Sequence, residues 1–182
     1  MGLYVIIVIV VILLLLIFST YNSLVKLNNR VEEAFSTMDV YLKKRWDLIP
    51  NIVETVKGYV KHEKETLGEI INLRNNSYDK MNVNDKVDIN NQLSQGMNKL
   101  MAIAEAYPDL KASENFKDLS NQLSIVENDI ANARKYYNGT VRMFNNKVQM
   151  FPSNIVATIF GYKTKKMFEI NENERENVKV EF

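Results

Sequence analysis

The first eighteen residues constrain this chain more than any other feature. Every side chain from Leu3 to Phe18 is apolar, and no charged residue occurs before Lys26. At about 1.5 Å per helical residue, the run extends across most of a hydrocarbon core about 30 Å thick. A helix that is apolar on every face needs lipid or a large protein around it. We therefore predict a transmembrane anchor over residues 1–20.

A cleaved secretory signal is the alternative to an anchor. Such a signal has a basic region before the apolar run and a small-residue cleavage site after it. Here no Lys or Arg precedes the run, and Phe18 to Asn22 contain no A-x-A pattern. The absence of cysteine also excludes attachment as a lipoprotein. We interpret the segment as an uncleaved anchor.

Charges beside the anchor predict its orientation. Lys26 and Arg30 follow the apolar run, and no basic side chain precedes it. Because basic residues favour the cytoplasmic side, the prediction is a single-pass protein of the cell membrane. Its N-terminus would lie outside and its domain in the cytoplasm.

Composition favours a helical domain beyond the anchor. Its 23 basic and 22 acidic side chains are interleaved and leave a net charge of +1, which excludes the basic footprint of a nucleic-acid binder. Only six Gly and three Pro occur in 182 residues, and no alternating strand pattern is visible. We predict an all-α fold.

Apolar spacing indicates four long helices. The first has apolar residues three and four positions apart, at Leu24, Leu27, Val31, Ala34, Met38 and Tyr41. Arg45 occupies the next position of the same spacing. A break is predicted at Trp46–Pro50, followed by a second helix to about residue 78. The third spans about 85–107 before Pro108, and the fourth begins at Ser113 and ends at Phe151-Pro152. Its apolar positions are Phe116, Leu119, Leu123, Val126, Ile130, Ala133, Tyr137, Thr140 and Phe144.

Short links between long helices predict an antiparallel up-down-up-down four-helix bundle. We assign residues 21–162 to this bundle, including a short C-terminal helix closed by Gly161. Residues 163–182 are predicted to form a charged, flexible tail.

Several strings resemble the bacterial LemA family. They are YNSLVKLNNRVEEAFSTMDVYLKKRWDLIPNIVETVKGYVKHE over 21–62, AEAYPDL over 104–110, NARKYYN over 132–138 and MFPSNIVATIFGY over 150–162. The resemblance extends over essentially the whole chain and implies a bacterial membrane protein with an N-terminal helix and a helical-bundle domain. It implies no established activity, although a related branch belongs to magnetosome membranes.

Catalytic patterns are missing from the sequence. There is no Cys, no nucleophile elbow, no P-loop and no dinucleotide-binding glycine motif. His62 is the single histidine and begins HEKET, which lacks the second His of a zinc protease helix. We therefore predict no catalytic residues, no cofactor and no metal site.

The basic cluster Lys43, Lys44 and Arg45 beside Trp46 has two interpretations. Positive charge near a helix C-terminus stabilises the helix by about 0.3–1 kcal/mol, which makes a structural role sufficient. The alternative is a partner-binding tip.

The end of the fourth helix also has two interpretations. In the predicted bundle it returns towards the bilayer, where the sequence places the apolar residues Phe151, Ile155, Ile159 and Phe160, followed by Lys163, Lys165 and Lys166. They can contact an anionic membrane surface, or the apolar ones can close the base of the bundle.

We expect a non-enzymatic interaction or scaffold module tethered to the lipid bilayer. Its protein partner is unknown, self-association stays open, and no nucleic acid is expected. The alternative is an accessory subunit of a membrane enzyme or protease complex.

Overall fold

The computed structural model describes residues 1–60, 63–74 and 78–168, and among these residues it contains helices and no β-strand. The elements are α1 (Gly2–Lys57), α2 (Lys64–Arg74), a 3₁₀ turn (Tyr78–Lys80), α3 (Val83–Ala106), α4 (Pro108–Ala112), α5 (Glu114–Gln149) and α6 (Ser153–Ile159). The predicted all-α class is confirmed. The chain divides into two compact units. The first comprises residues 1–38 and 133–167, and the second comprises the described residues of 39–132 together with Phe168.

Helix α1 continues through the predicted break at Trp46–Pro50, and that prediction is wrong. Pro50 lies inside the helix, where it lacks an amide donor and crowds the preceding turn. The residues around it, Trp46, Ile49 and Val53, are all buried. Burying each such side chain stabilises the fold by about 1.5–3 kcal/mol, which together exceeds the cost of about 3 kcal/mol for an interior proline.

The second predicted helix is also wrong, because the chain turns at Gly58. Helix α1 ends at Lys57, and α2 is a separate helix of 11 residues. Glycine is a weak helix former, and the amide of Val60 bonds the carbonyl of Val56 as the chain leaves α1.

The later boundaries agree with the sequence. Asn82 caps α3 by accepting a hydrogen bond from the amide of Asp85 at 3.0 Å. Pro108 follows the end of α3 and begins α4. Along α5, all the predicted inward positions are buried apart from Leu119, which is half-buried.

The first unit packs part of α1 against the second half of α5 and against α6. Its buried residues include Leu24, Val31, Ala34, Met38, Ala133, Tyr137, Val141, Phe144, Val156 and Ala157. Phe35 lies edge-on to Tyr137, with ring centroids 6.0 Å apart.

The first residues after Tyr162, part of the range predicted to be a flexible tail, form hydrogen bonds with this unit. The side chain of Asn145 both accepts from the amide and donates to the carbonyl of Lys165, each at 2.8 Å. The Tyr137 hydroxyl donates to the carbonyl of Lys166 at 3.2 Å. The remainder of the predicted tail, residues 169–182, lies outside the described residues.

The second unit packs the later part of α1 with α2, α3, α4 and the first half of α5. Its buried side chains include Leu42, Trp46, Ile49, Ile52, Leu67, Ile70, Leu93, Leu100, Leu110, Phe116, Leu123 and Ile130. At Gly96 a Cβ would lie 3.0 Å from Cγ1 of Ile70, so glycine permits α3 to approach α2 closely. The up-down-up-down order of the helices stays a prediction.

Candidate functional site

The start of α1 presents a fully exposed apolar surface. All sixteen side chains from Leu3 to Phe18 are exposed, the least of them being Ile17 at 38%. Among the described residues, α1 is the one helix long and apolar enough to cross a membrane. No element boundary separates this run from the packed part of the first unit, where Leu24 is completely buried.

A second exposed apolar surface, the α6 patch, consists of Phe151, Ile155, Ile159 and Phe160. Their exposed fractions are 80%, 53%, 68% and 50%. The opposite face of α6 is buried and contributes Ser153, Val156 and Ala157. The two interpretations of this segment, closing the base of the bundle and contacting the membrane, therefore apply to different residues. Val156 and Ala157 are buried and close the first unit, whereas the four residues of the patch are exposed.

A glycine cap fixes the end of α6. Gly161 has φ = +73°, a left-handed conformation that glycine adopts without a Cβ clash. Its amide bonds the carbonyl of Thr158 at 3.2 Å, and the amide of Tyr162 bonds that of Ala157 at 2.9 Å. These paired bonds form a Schellman motif, and they confirm the predicted cap.

One ring contact joins the α6 patch to the start of the domain. The rings of Phe160 and Tyr21 lie 4.5 Å apart between centroids. Tyr21 comes three residues after Phe18, the last member of the apolar run. The patch therefore lies beside the point at which the exposed apolar part of α1 ends.

The three lysines that follow the patch have different environments. Lys163 and Lys166 are exposed. Lys165 is half-buried, and its Nζ lies 5.3 Å from the centroid of the Phe144 ring and 3.8 Å from a carboxylate oxygen of Glu32. The structure thus exposes Lys163 two residues after the Gly161 cap, whereas Lys165 and Lys166 lie beside Glu32 and Tyr137.

The four residues of the predicted partner-binding tip are not presented together. Arg45 is completely buried and Trp46 is buried, whereas Lys44 is exposed. Lys43 is half-buried and pairs with Asp47 at 2.7 Å. The expectation that this cluster ends a helix is wrong, because α1 continues to Lys57.

Arg45 instead lies at the centre of a polar network in the second unit. Its Nη1 donates to the Ser94 hydroxyl at 2.7 Å and to Glu127 at 2.8 Å. Its Nη2 donates to the carbonyl of Asn90 at 2.8 Å and to the side-chain oxygen of the same residue. The network therefore joins α1, α3 and α5. A sequence signal existed, since Arg45 continues the apolar spacing of the first helix and a buried position there demands partners.

A second polar cluster in this unit surrounds Asp39. Its carboxylate accepts from the Tyr78 hydroxyl at 2.6 Å and from Lys86 at 2.7 Å. Burial raises the pKa of Tyr78 far above its usual value, and the hydrogen bond to Asp39 raises it further. Tyr78 also lies under Trp46, with ring centroids 5.3 Å apart. Nothing in the sequence pattern indicated this cluster, because its members come from distant segments.

Metal binding has no candidate among the described residues, where no group of three or more His, Cys, Asp or Glu side chains is placed to hold an ion. His62, the histidine weighed as a ligand, lies outside those residues.

Comparison with known families decides the relationship. The model of the LemA family matches residues 34–182, which include both polar clusters, α5 and the α6 patch.

This chain belongs to the LemA family.

The match begins at Ala34, so it does not include the apolar run or Tyr21.

Individual relatives agree with the LemA assignment. The chain is 28% identical to Protein LemA of Metamycoplasma hominis over 158 residues, which cover 86% of this chain and 72% of that protein. It is 30% identical over 73 residues to magnetosome proteins MamQ 1 and MamQ 2 of Paramagnetospirillum magneticum. Those matches cover 40% of this chain and 27% of each magnetosome protein.

Proposed function

We propose that this LemA-family chain is a non-enzymatic interaction module tethered to a membrane by the first part of α1. The observation that carries the proposal is the exposed apolar run, which passes without a break into the packed residues of the first unit. Soluble proteins rarely expose a contiguous apolar surface of this size. A bilayer removes it from water, at about 25 cal/mol per Å² buried.

Aromatic and basic residues at the ends of the run fit a spanning helix. Tyr4 and Tyr21 are separated by about 26 Å along the helix at ~1.5 Å per residue, which approaches the thickness of the hydrocarbon core. Tyrosine favours the two interfaces of a bilayer. Lys26 and Arg30 favour an orientation with the domain on the cytoplasmic side and the N-terminus outside.

The tether is tested by charging its centre. The variant Val10→Arg/Leu13→Arg introduces two charges, each costing about 2.5–3.5 kcal/mol at the middle of a spanning helix. The matched control Val10→Leu/Leu13→Val keeps the apolar character. We expect the control to remain in the membrane pellet after a carbonate wash, and the charged variant to be released with an unchanged helical circular dichroism spectrum. Release of the control and of the native chain would contradict the tether.

The interaction role is supported by exposed apolar side chains on α5. Tyr136 and Met143 are 56% and 47% exposed and lie seven residues apart, which places them on one helix face within the first unit. The face is suited to a partner helix or to a second copy of the chain.

Photo-crosslinking in intact membranes tests this face. A photoreactive residue at Met143 should give one defined adduct, whose mass separates a second copy from a different protein. The same residue at the exposed Lys135 serves as the matched control and should give little adduct. Equal crosslinking at both positions, or none at Met143, would refute a specific interaction face.

A further inference from the structure

The α6 patch combines four large apolar side chains with a firmly held backbone. Phe151 and Ile159 are among the most exposed apolar residues of the described chain outside the run in α1. Yet Val156 and Ala157 are buried, and the Gly161 cap closes the helix. The exposure is therefore a property of a fixed surface and not of a loose end.

The position of the patch limits what can cover it. Phe160 touches Tyr21, and Tyr21 lies only about 5 Å along the helix axis from Phe18. The interfacial layer on each side of a hydrocarbon core is about 5–8 Å thick. If the apolar run occupies the core, the patch lies at the depth of the headgroups.

Charge beside the patch complements the same surface. Lys163 is exposed three residues after Phe160, and anionic headgroups attract basic side chains near a membrane surface. Lys165 and Lys166 lie farther from the apolar run: Lys165 is near Glu32, about 21 Å along α1 from Phe18 at ~1.5 Å per residue, and the carbonyl of Lys166 accepts from Tyr137. A fixed apolar face followed by an exposed lysine fits an interfacial membrane helix.

We propose that the α6 patch rests in the headgroup region of the bilayer that α1 crosses, with Lys163 against anionic lipid. This inference depends on the proposed tether. It gives the first unit two attachments to one membrane, so that the unit is held in a fixed orientation at the surface and does not swing about α1. The occupant of the patch is lipid, since the patch is continuous with a surface that itself requires lipid.

Spin-label depth measurements on the full chain in anionic vesicles test the proposal. The chain has no cysteine, so single-cysteine variants carry one label each. Labels at Phe151 and Ile159 should be accessible to oxygen and shielded from a water-soluble nickel complex. The matched control is Lys135, which is exposed on α5 about 21 Å before that helix ends at Gln149, at ~1.5 Å per residue, and its label should remain accessible to nickel. A label at Leu13 shows whether the anchor lies inside the bilayer in the same preparation.

Two variants test the separate contributions. Ile155→Glu should shift the Ile159 label towards water without moving the Leu13 label. Lys163→Gln should produce the same shift more weakly, and only in anionic vesicles.

Three outcomes would overturn the inference in distinguishable ways. A Leu13 label inside the bilayer with an Ile159 label in water would refute the α6 contact and leave the tether standing. A Leu13 label in water would refute the tether itself. If shielding of the Ile159 label from nickel rises with protein concentration and does not depend on lipid composition, a second copy of the chain covers the patch.

Discussion

At the scale of single residues, the buried Arg45 joins three helices of the second unit. A buried guanidinium needs partners for its donors; the two terminal nitrogens bond to four acceptors on Glu127, Asn90 and Ser94, whereas Nε has no hydrogen-bond partner in the structure. Glu127 alone among them is charged. Its side chain is 37% exposed, so water screens its attraction for Arg45 without abolishing it.

Neutralising Glu127 alone should lower the free energy of unfolding more than replacing both Arg45 and Glu127. We expect Glu127→Gln to lower the free energy of unfolding by about 2 kcal/mol, because it leaves a buried cation among neutral partners. The double variant Arg45→Met/Glu127→Gln should be more stable than Glu127→Gln alone. Urea unfolding of the full chain in detergent measures both, and additive losses would show that the ion pair has no such role.

The raised pKa of Tyr78 predicts a loss of stability in alkali. A free tyrosine ionises near pH 10, whereas folding keeps Tyr78 protonated well above that value. The folded state therefore holds a proton that the unfolded state releases. The resulting stability is complete below about pH 10 and declines as the pH rises further. Urea unfolding at pH 9 and pH 11, roughly either side of that value, should show a steeper decline for the native chain than for Tyr78→Phe. Parallel declines would contradict the assignment.

At the scale of helices, α5 shows how well long periodic segments can be predicted. Its apolar spacing, the start after Ser113 and the end before Pro152 were all available from the sequence, and the structure agrees with them. The end of α1 could not be predicted from the sequence, because burial of the residues around Pro50 outweighs the local tendency of proline to break a helix. The two faces of α6 also required the structure, since a run of apolar residues does not show which of them another helix covers.

The core positions of α5 should be separable from its surface by substitution. Leu123→Ala and Ile130→Ala should each cost about 2–5 kcal/mol, because both side chains are buried. The exposed neighbours Asn128 and Lys135 should tolerate alanine with losses below about 0.5 kcal/mol. Denaturant unfolding monitored by circular dichroism makes the comparison. Similar losses in both groups would mean that these faces of α5 are wrongly assigned.

At the scale of the whole molecule, the orientation in the membrane is open to a clean test. In intact cells without a wall, an impermeant maleimide should label Gly2→Cys, because the N-terminus is proposed to lie outside. It should label Lys44→Cys only after the cells are lysed. Lys44 is exposed, so protection before lysis would come from the membrane and not from the fold. The reverse pattern would place the domain outside.

The central claim is that one helix crosses the bilayer and continues into the LemA-type domain. The most direct measurement is a spin-label depth profile with single cysteines placed along residues 3–30 of the full chain in vesicles. We expect depth to rise from Leu3 to a maximum near Val10, to fall again by Phe18, and to give way beyond Tyr21 to alternation between buried and water-exposed positions. A uniformly shallow profile over residues 3–18, or water exposure throughout, would contradict the claim.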